Sequence, residues 1–170
     1  MCVALFFFYL WGVCNYAICP LPIDADLIEW MSSVQRWDER LNLRPRLLLD
    51  LLYHWRDADV FWNVVLGIPF GLGLPFVVSD KYRTMKHVIA FAFAFAAGLE
   101  LMQLGISLAF YGFPYRSIDI EDVVFVFVGA VLGAMCTWIG AVIYRRIGWN
   151  RGALVPVWNH FHDVFCSFGA

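Results

Sequence analysis

Four long apolar stretches constrain this sequence more than any other feature. They cover residues 2–21, 60–78, 88–111 and 123–144. A helix needs about 20 mostly apolar residues to cross the hydrocarbon core of a bilayer, and each stretch is close to that length. Charged residues make up 15% of the 170-residue chain, against about 25% in soluble domains. The sequence therefore predicts an all-α integral membrane protein with four transmembrane helices.

The segment between the first two stretches, residues 22–58, has a different character. It mixes acids, arginines and tryptophans with apolar residues at helical spacing. Those apolar residues are Leu47, Leu48, Leu51, Leu52 and Trp55. The pattern predicts one or two amphipathic helices lying on the outer membrane surface, with tryptophans at the interface. The chain is thus predicted to form a single membrane domain, 1–170, with a tail at 145–170.

Cations in two short segments predict the orientation. One segment is the 79–87 loop, and the other is the tail after the fourth stretch. The cations are Lys81, Arg83, Lys86, Arg145, Arg146 and Arg151. Short cationic segments stay in the cytoplasm, and four spans place both segments on the same side. We therefore expect a multi-pass protein of the cell membrane with both termini cytoplasmic.

Polar residues gather toward the outer side of this predicted topology. Glu100 lies about 12 residues, or about 18 Å at 1.5 Å per residue, into the third stretch. Gln103 follows on the same helical face. Ionisable residues inside a span are costly and usually mark function. The predicted outer cleft collects Asp59, Asn63, Glu100, Gln103, Arg116, Asp119, Glu121 and Asp122.

Three roles are open for the acids of this cleft. Glu100 can form an internal ion pair with Arg116, which one-sided removal would break at a high cost in stability. Glu100 can instead act as a general acid or base with Asp119 or Asp122. The cluster can also bind a ligand without chemistry, including a divalent cation held by oxygen atoms.

The remaining candidates for chemistry are weaker. The tail carries His160, His162 and Asp163, but it offers no firm third ligand, so an interfacial aromatic tail is predicted and no metal site. The residues identify no cofactor. Membrane lipids are the expected partners, and nucleic acid is not, because no long basic stretch occurs.

Four short motifs follow one another along the last three stretches. They are Asn63-x-x-x-x-x-Pro69-Phe70-Gly71, Glu100-x-x-Gln103, Arg116-x-x-Asp119-Ile120-Glu121-Asp122 and Gly129-x-x-x-Gly133. In this order and spacing, residues 57–144 resemble the VanZ-like family of bacterial membrane proteins. The chain departs from the family pattern at Val126, where an Asn is usual, and at Glu121, where an Asp is usual.

The resemblance implies a bacterial cell-envelope protein. The founding member of the family is tied to low-level resistance to the glycopeptide antibiotic teicoplanin. The expected function is binding of a lipid, a cell-wall precursor or the drug in the outer cleft. The alternative is a membrane-embedded enzyme that acts on an outer-leaflet lipid or cell-wall intermediate.

Overall fold

A computed structural model describes residues 2–43, 58–147 and 156–169 of the chain. These ranges are mostly helical and contain seven α-helices. The helices are α1 (Cys2–Ile18), α2 (Ala25–Val34), α3 (Trp37–Arg40), α4 (Ala58–Gly73), α5 (Met85–Ile106), α6 (Ile120–Ile147) and α7 (Pro156–Ser167). A 3-10 turn (Leu74–Phe76) extends α4, another lies at Asp80–Tyr82, and a π-helical turn (Ser107–Tyr111) extends α5. Two short strands, β1 (Leu41–Asn42) and β2 (Ile118–Asp119), pair in parallel.

Two helical segments are long and apolar enough to cross a membrane. They are Met85–Tyr111, with 27 residues, and Ile120–Ile147, with 28 residues. The segments Cys2–Ile18 and Val60–Phe76 are also apolar helices, but they are shorter. The described residues are thus mostly helical, which confirms the helical prediction in part, and a set of four spans stays a prediction.

The closest helix contact joins α4 to α6. It is made by glycines on both helices, and a Cβ atom at any of them would overlap a backbone carbonyl oxygen of the facing helix. The glycines are Gly67, Gly71, Gly129 and Gly133. Small residues let helix backbones approach closely within a membrane. The contact places the polar ends of α4 and α6 side by side, and these ends form part of the site.

Aromatic side chains fill the space between α1, α4 and α5. The rings of Phe70 and Phe95 stack with their centroids 4.1 Å apart. The hydroxyl group of Tyr9 donates a hydrogen bond of 2.6 Å to the carbonyl oxygen of Leu66. On the outer faces, large apolar side chains such as Phe8 and Trp11 are exposed. Exposed apolar side chains on the outer faces are typical of helices that contact lipid.

The predicted outer segment is only partly described. It contains α2, α3 and β1, whereas the amphipathic positions from Leu47 to Trp55 lie outside the described residues. Besides the pairing of β1 with β2, hydrogen bonds from side chains tie the described part to the loop before α6. Trp37 donates through Nε1 to the Gly112 carbonyl (3.2 Å), and Ser117 donates to the Arg40 carbonyl (3.3 Å).

The predicted tail contains a helix, α7, that packs against the end of α6. The guanidinium group of Arg145 donates to the carbonyl oxygens of Phe165 (3.0 Å) and Phe168 (2.7 Å). His160 bonds to the carbonyl of Phe76 at 2.8 Å, and His162 bonds to the hydroxyl group of Tyr144 at 2.8 Å. Through these contacts both histidines pack against neighbouring helical segments, and the absence of a metal site in the tail stays a prediction.

Candidate functional site

One cavity of about 310 Å³ lies beside the 112–119 loop, among α1, α4, α5 and α6. All seven residues predicted to bind a ligand line the cavity. They are Asn63, Glu100, Gln103, Arg116, Asp119, Glu121 and Asp122. The side chain of Asp59 lies outside the described part of the chain. The structure thus brings the predicted set together, and its role in binding stays a prediction.

Asp119 holds the beginning of α6 in place. Its Oδ1 atom accepts a hydrogen bond of 2.8 Å from the backbone N–H of Glu121, which is the usual capping contact at a helix N-terminus. Its Oδ2 atom accepts a hydrogen bond of 2.9 Å from Nδ2 of Asn42. Because Asn42 belongs to β1, Asp119 fastens the outer segment to α6. Both oxygens of this carboxylate therefore have structural partners.

A second polar contact crosses the glycine interface. Nδ2 of Asn63 on α4 donates a hydrogen bond of 2.6 Å to Oδ1 of Asp122 on α6. The two side chains meet because Gly67 and Gly129, about one and two turns further along their helices, bring α4 and α6 together. The position of Asp122 in the cavity thus depends on the packing of α4 against α6.

Glu100 is half-buried on the α5 wall of the cavity. Its Oε2 atom accepts a hydrogen bond of 3.1 Å from the backbone N–H of Asp119. The charges of Asp119, Asp122 and Arg116 are close enough to interact with the Glu100 carboxylate. The hydrogen bond fixes the direction of the carboxylate, so that it faces the cavity from a defined position.

Arg116 has a different partner from the one hypothesised. Its Nη1 atom donates to the carbonyl oxygens of Tyr16 (2.8 Å), Ala17 (2.6 Å) and, more weakly, Cys19 (3.5 Å). The last carbonyls of a helix have no partner within it and favour a nearby cation. Arg116 therefore caps α1. Within the described ranges no ion pair joins it to Glu100, so the hypothesis of that pair is wrong.

Gln103 lies on the same wall of the cavity and is more buried than Glu100, with 7% of its surface exposed. Its Nε2 atom donates a hydrogen bond of 2.8 Å to the carbonyl of Ala17. Its Oε1 atom is buried and has no hydrogen-bond partner among the described residues. Val126, at the position where the family usually has Asn, also lines the cavity. The usual Asn would thus add a polar group that this chain lacks.

Sequence reasoning missed the contribution of α1. Tyr16 and Ala17 line the cavity and offer their backbone carbonyls to Arg116 and Gln103. An apolar helix carries no side-chain signal for this role. The one available clue was Pro20 with Pro22, which predicts where α1 ends and hence where its free carbonyls lie.

Metal binding is a further hypothesis for the acids of the cavity. Among the described residues, no group of three or more His, Cys, Asp or Glu side chains is arranged to hold a metal ion. The hypothesis of a divalent cation held by the acids therefore gains no support. The cavity offers a bound molecule carboxylate and amide acceptors on one wall and a guanidinium group on another.

Comparison with known proteins gives one match. A family model described as VanZ/LLP1 matches residues 6–143, so the match includes α1 as well as the motifs between Asn63 and Gly133. No curated protein matches the chain, and neither does any solved structure. Together with the two long apolar helices, the family match indicates a membrane protein.

Proposed function

Because the chain belongs to the VanZ/LLP1 family, we propose that it binds the polar head group of a lipid or cell-wall precursor at the outer face of a bacterial membrane. The observation that carries this proposal is the convergence of seven polar residues in one cavity beside apolar helices. Polar groups at membrane depth are energetically costly, so their presence there usually marks a functional site. A ligand with an apolar tail and a polar head matches such surroundings.

The proposal includes four membrane spans. The shorter apolar helices, such as α1 with 17 residues, reach the lower limit of about 17 residues for a span. With four spans, the cationic 79–87 loop and the α7 tail share the cytoplasmic side. The cavity then opens toward the outside, where cell-wall precursors and glycopeptide drugs are found.

The size of the cavity favours a head group over a whole drug molecule. Its volume of about 310 Å³ lies at the small end of the range of roughly 300–1,000 Å³ for ligand pockets. A glycopeptide such as teicoplanin is far larger. We therefore place any protection against teicoplanin at the level of the lipid or precursor that the drug meets at the membrane.

Drug susceptibility in a sensitive Gram-positive host tests the proposal. The wild-type chain, Glu100→Gln and Glu29→Gln would be compared at matched membrane expression for teicoplanin and vancomycin. Glu29 is the control because it is an exposed acid of α2 outside the cavity. We expect teicoplanin protection from the wild type and the control, and weaker but measurable protection from Glu100→Gln. Absence of protection by well-expressed wild type would contradict the proposed role in resistance.

An enzymatic function is the second candidate, because the carboxylates of Glu100, Asp119 and Asp122 line the same cavity. A pair of carboxyl groups can supply a general acid and a general base. Glu100→Gln and Asp122→Asn separate the two candidates. Each should abolish a catalytic phenotype and only weaken one that depends on binding. If these variants and Asp119→Asn were stable and fully active, both candidates would be wrong.

A further inference from the structure

Gln103 points to a missing hydrogen-bond donor. Its Nε2 atom faces the carbonyl of Ala17, which can only accept, and this contact fixes the orientation of the amide. Oε1 is then the free acceptor, and it is buried without a partner among the described residues. A buried acceptor left without a donor destabilises the protein, because it has lost its hydrogen bonds to water without replacement. A donor group of a molecule in the cavity would remove that destabilisation.

Glu100 adds a second acceptor on the same wall. It precedes Gln103 by three residues on α5, and residues at this spacing lie on one helical face. Its Oε2 atom accepts from Asp119, and its Oε1 atom accepts from none of the described residues. A carboxylate and an amide oxygen side by side suit an ammonium group, which has three N–H donors and no acceptor.

Arg116 supplies the opposite charge on another wall of the cavity. Its three hydrogen bonds within the described part of the chain all use Nη1. The guanidinium group has five N–H donors in a fixed plane, so the donors on Nη2 and Nε remain for a ligand. Arginine binds phosphate oxygens through such paired donors. Because Arg116 is anchored on α1, its free edge is held in position.

We propose that the bound head group is zwitterionic, with a primary ammonium group held by Glu100 and Gln103 and a phosphate group held by Arg116. This inference rests on the proposed function and specifies its ligand class. Ethanolamine phosphate, the head of an aminophospholipid, is the simplest molecule of this kind. A head group with phosphate and no amine leaves the acceptors of Glu100 and Gln103 unpaired. A trimethylammonium head has no N–H to donate to them.

Lipid binding to the purified full chain in detergent tests the inference. Native mass spectrometry would compare phosphatidylethanolamine, phosphatidylcholine and phosphatidylglycerol with the same acyl chains. The loss of one or two hydrogen bonds to charged groups corresponds to about a tenfold or greater loss of affinity. We expect phosphatidylethanolamine to bind at least about tenfold more tightly than the other two lipids.

Variants of the cavity residues test which side chains bind the ammonium group and which bind the phosphate group. Glu100→Gln and Gln103→Met should reduce the preference for phosphatidylethanolamine over phosphatidylcholine. Arg116→Gln should weaken the binding of both lipids and leave their ratio unchanged, and Arg116→Lys should restore part of the binding. Glu29→Gln, outside the cavity, should behave as wild type. Melting temperatures of all variants in detergent identify any that have lost the fold.

The outcomes separate this inference from the proposed function. Equal binding of phosphatidylethanolamine and phosphatidylglycerol, with sensitivity to Glu100→Gln, would overturn the zwitterionic ligand and leave a head-group site. Wild-type binding that no cavity variant alters would overturn both. Glycerophosphoethanolamine has the same head without acyl chains and should bind more weakly. If it bound as tightly as the lipid, the ligand would be a soluble molecule instead.

Discussion

A methyl group added at Gly67 should disturb both the fold and the cavity. In Gly67→Ala the new Cβ atom would overlap the carbonyl oxygen of Val126 and lie 2.7 Å from the backbone nitrogen of Ala130. Ordinary contact begins at 3.4 Å, so α4 and α6 would have to separate by roughly 1 Å, as expected for an overpacked interface. Asn63 lies one helical turn away, and its 2.6 Å hydrogen bond to Asp122 crosses the same interface.

The expected magnitude combines three effects. Overpacking of a close contact costs about 1–3 kcal/mol. Loss of the Asn63–Asp122 hydrogen bond costs about 1 kcal/mol. The higher helix propensity of Ala returns about 1 kcal/mol. The net loss in the free energy of unfolding is then about 1–3 kcal/mol, which corresponds to a fall of roughly 3–10 °C in Tm.

Gly140→Ala is the matched control on α6. A Cβ atom at Gly140 meets no atom within 4 Å, so only the propensity gain of about 1 kcal/mol applies. Thermal unfolding in detergent, monitored by size-exclusion chromatography, would give Tm for both variants and for the wild type. We expect Tm to fall for Gly67→Ala and to stay level or rise for Gly140→Ala. Equal Tm values for the two variants, with unchanged lipid binding, would refute the close α4–α6 contact.

Further predictions concern the cavity and the topology. Arg116→Ala and Glu100→Ala should show a coupling energy below about 1 kcal/mol in a double-mutant cycle, because their charges interact but the two side chains bond to different partners. Strong coupling would restore the ion-pair hypothesis. Asp119→Ala removes the cap of α6 and should cost about 1–2 kcal/mol, with faster proteolysis near residue 42. An unchanged cleavage rate would contradict its fastening role. The exposed thiols of Cys19 and Cys166 should differ on intact cells: a membrane-impermeant maleimide should label a variant that retains only Cys19 and spare one that retains only Cys166. The reverse pattern would invert the topology.

The sequence alone determined the helical character of the chain and the identity of the polar set. Apolar stretches of membrane length predict helices because every backbone polar group must be satisfied inside the segment when lipid surrounds it. The spacing of Glu100 and Gln103 placed both side chains on one face of α5. The motif around Asp119 and Asp122 placed more acids at the neighbouring helix end. These inferences depend only on local geometry, so they did not need the tertiary structure.

The tertiary structure decided which of these groups bond to each other. Charge alone suggested that Arg116 pairs with Glu100, but the guanidinium group instead caps the carbonyls of α1. Asp119 accepts hydrogen bonds from Asn42 and from the backbone N–H of Glu121 in the helix that it caps. The partner of a charged group depends on where helix ends come together in space. A backbone carbonyl has the same chemistry in every residue, so no sequence pattern shows which carbonyls a distant side chain will meet.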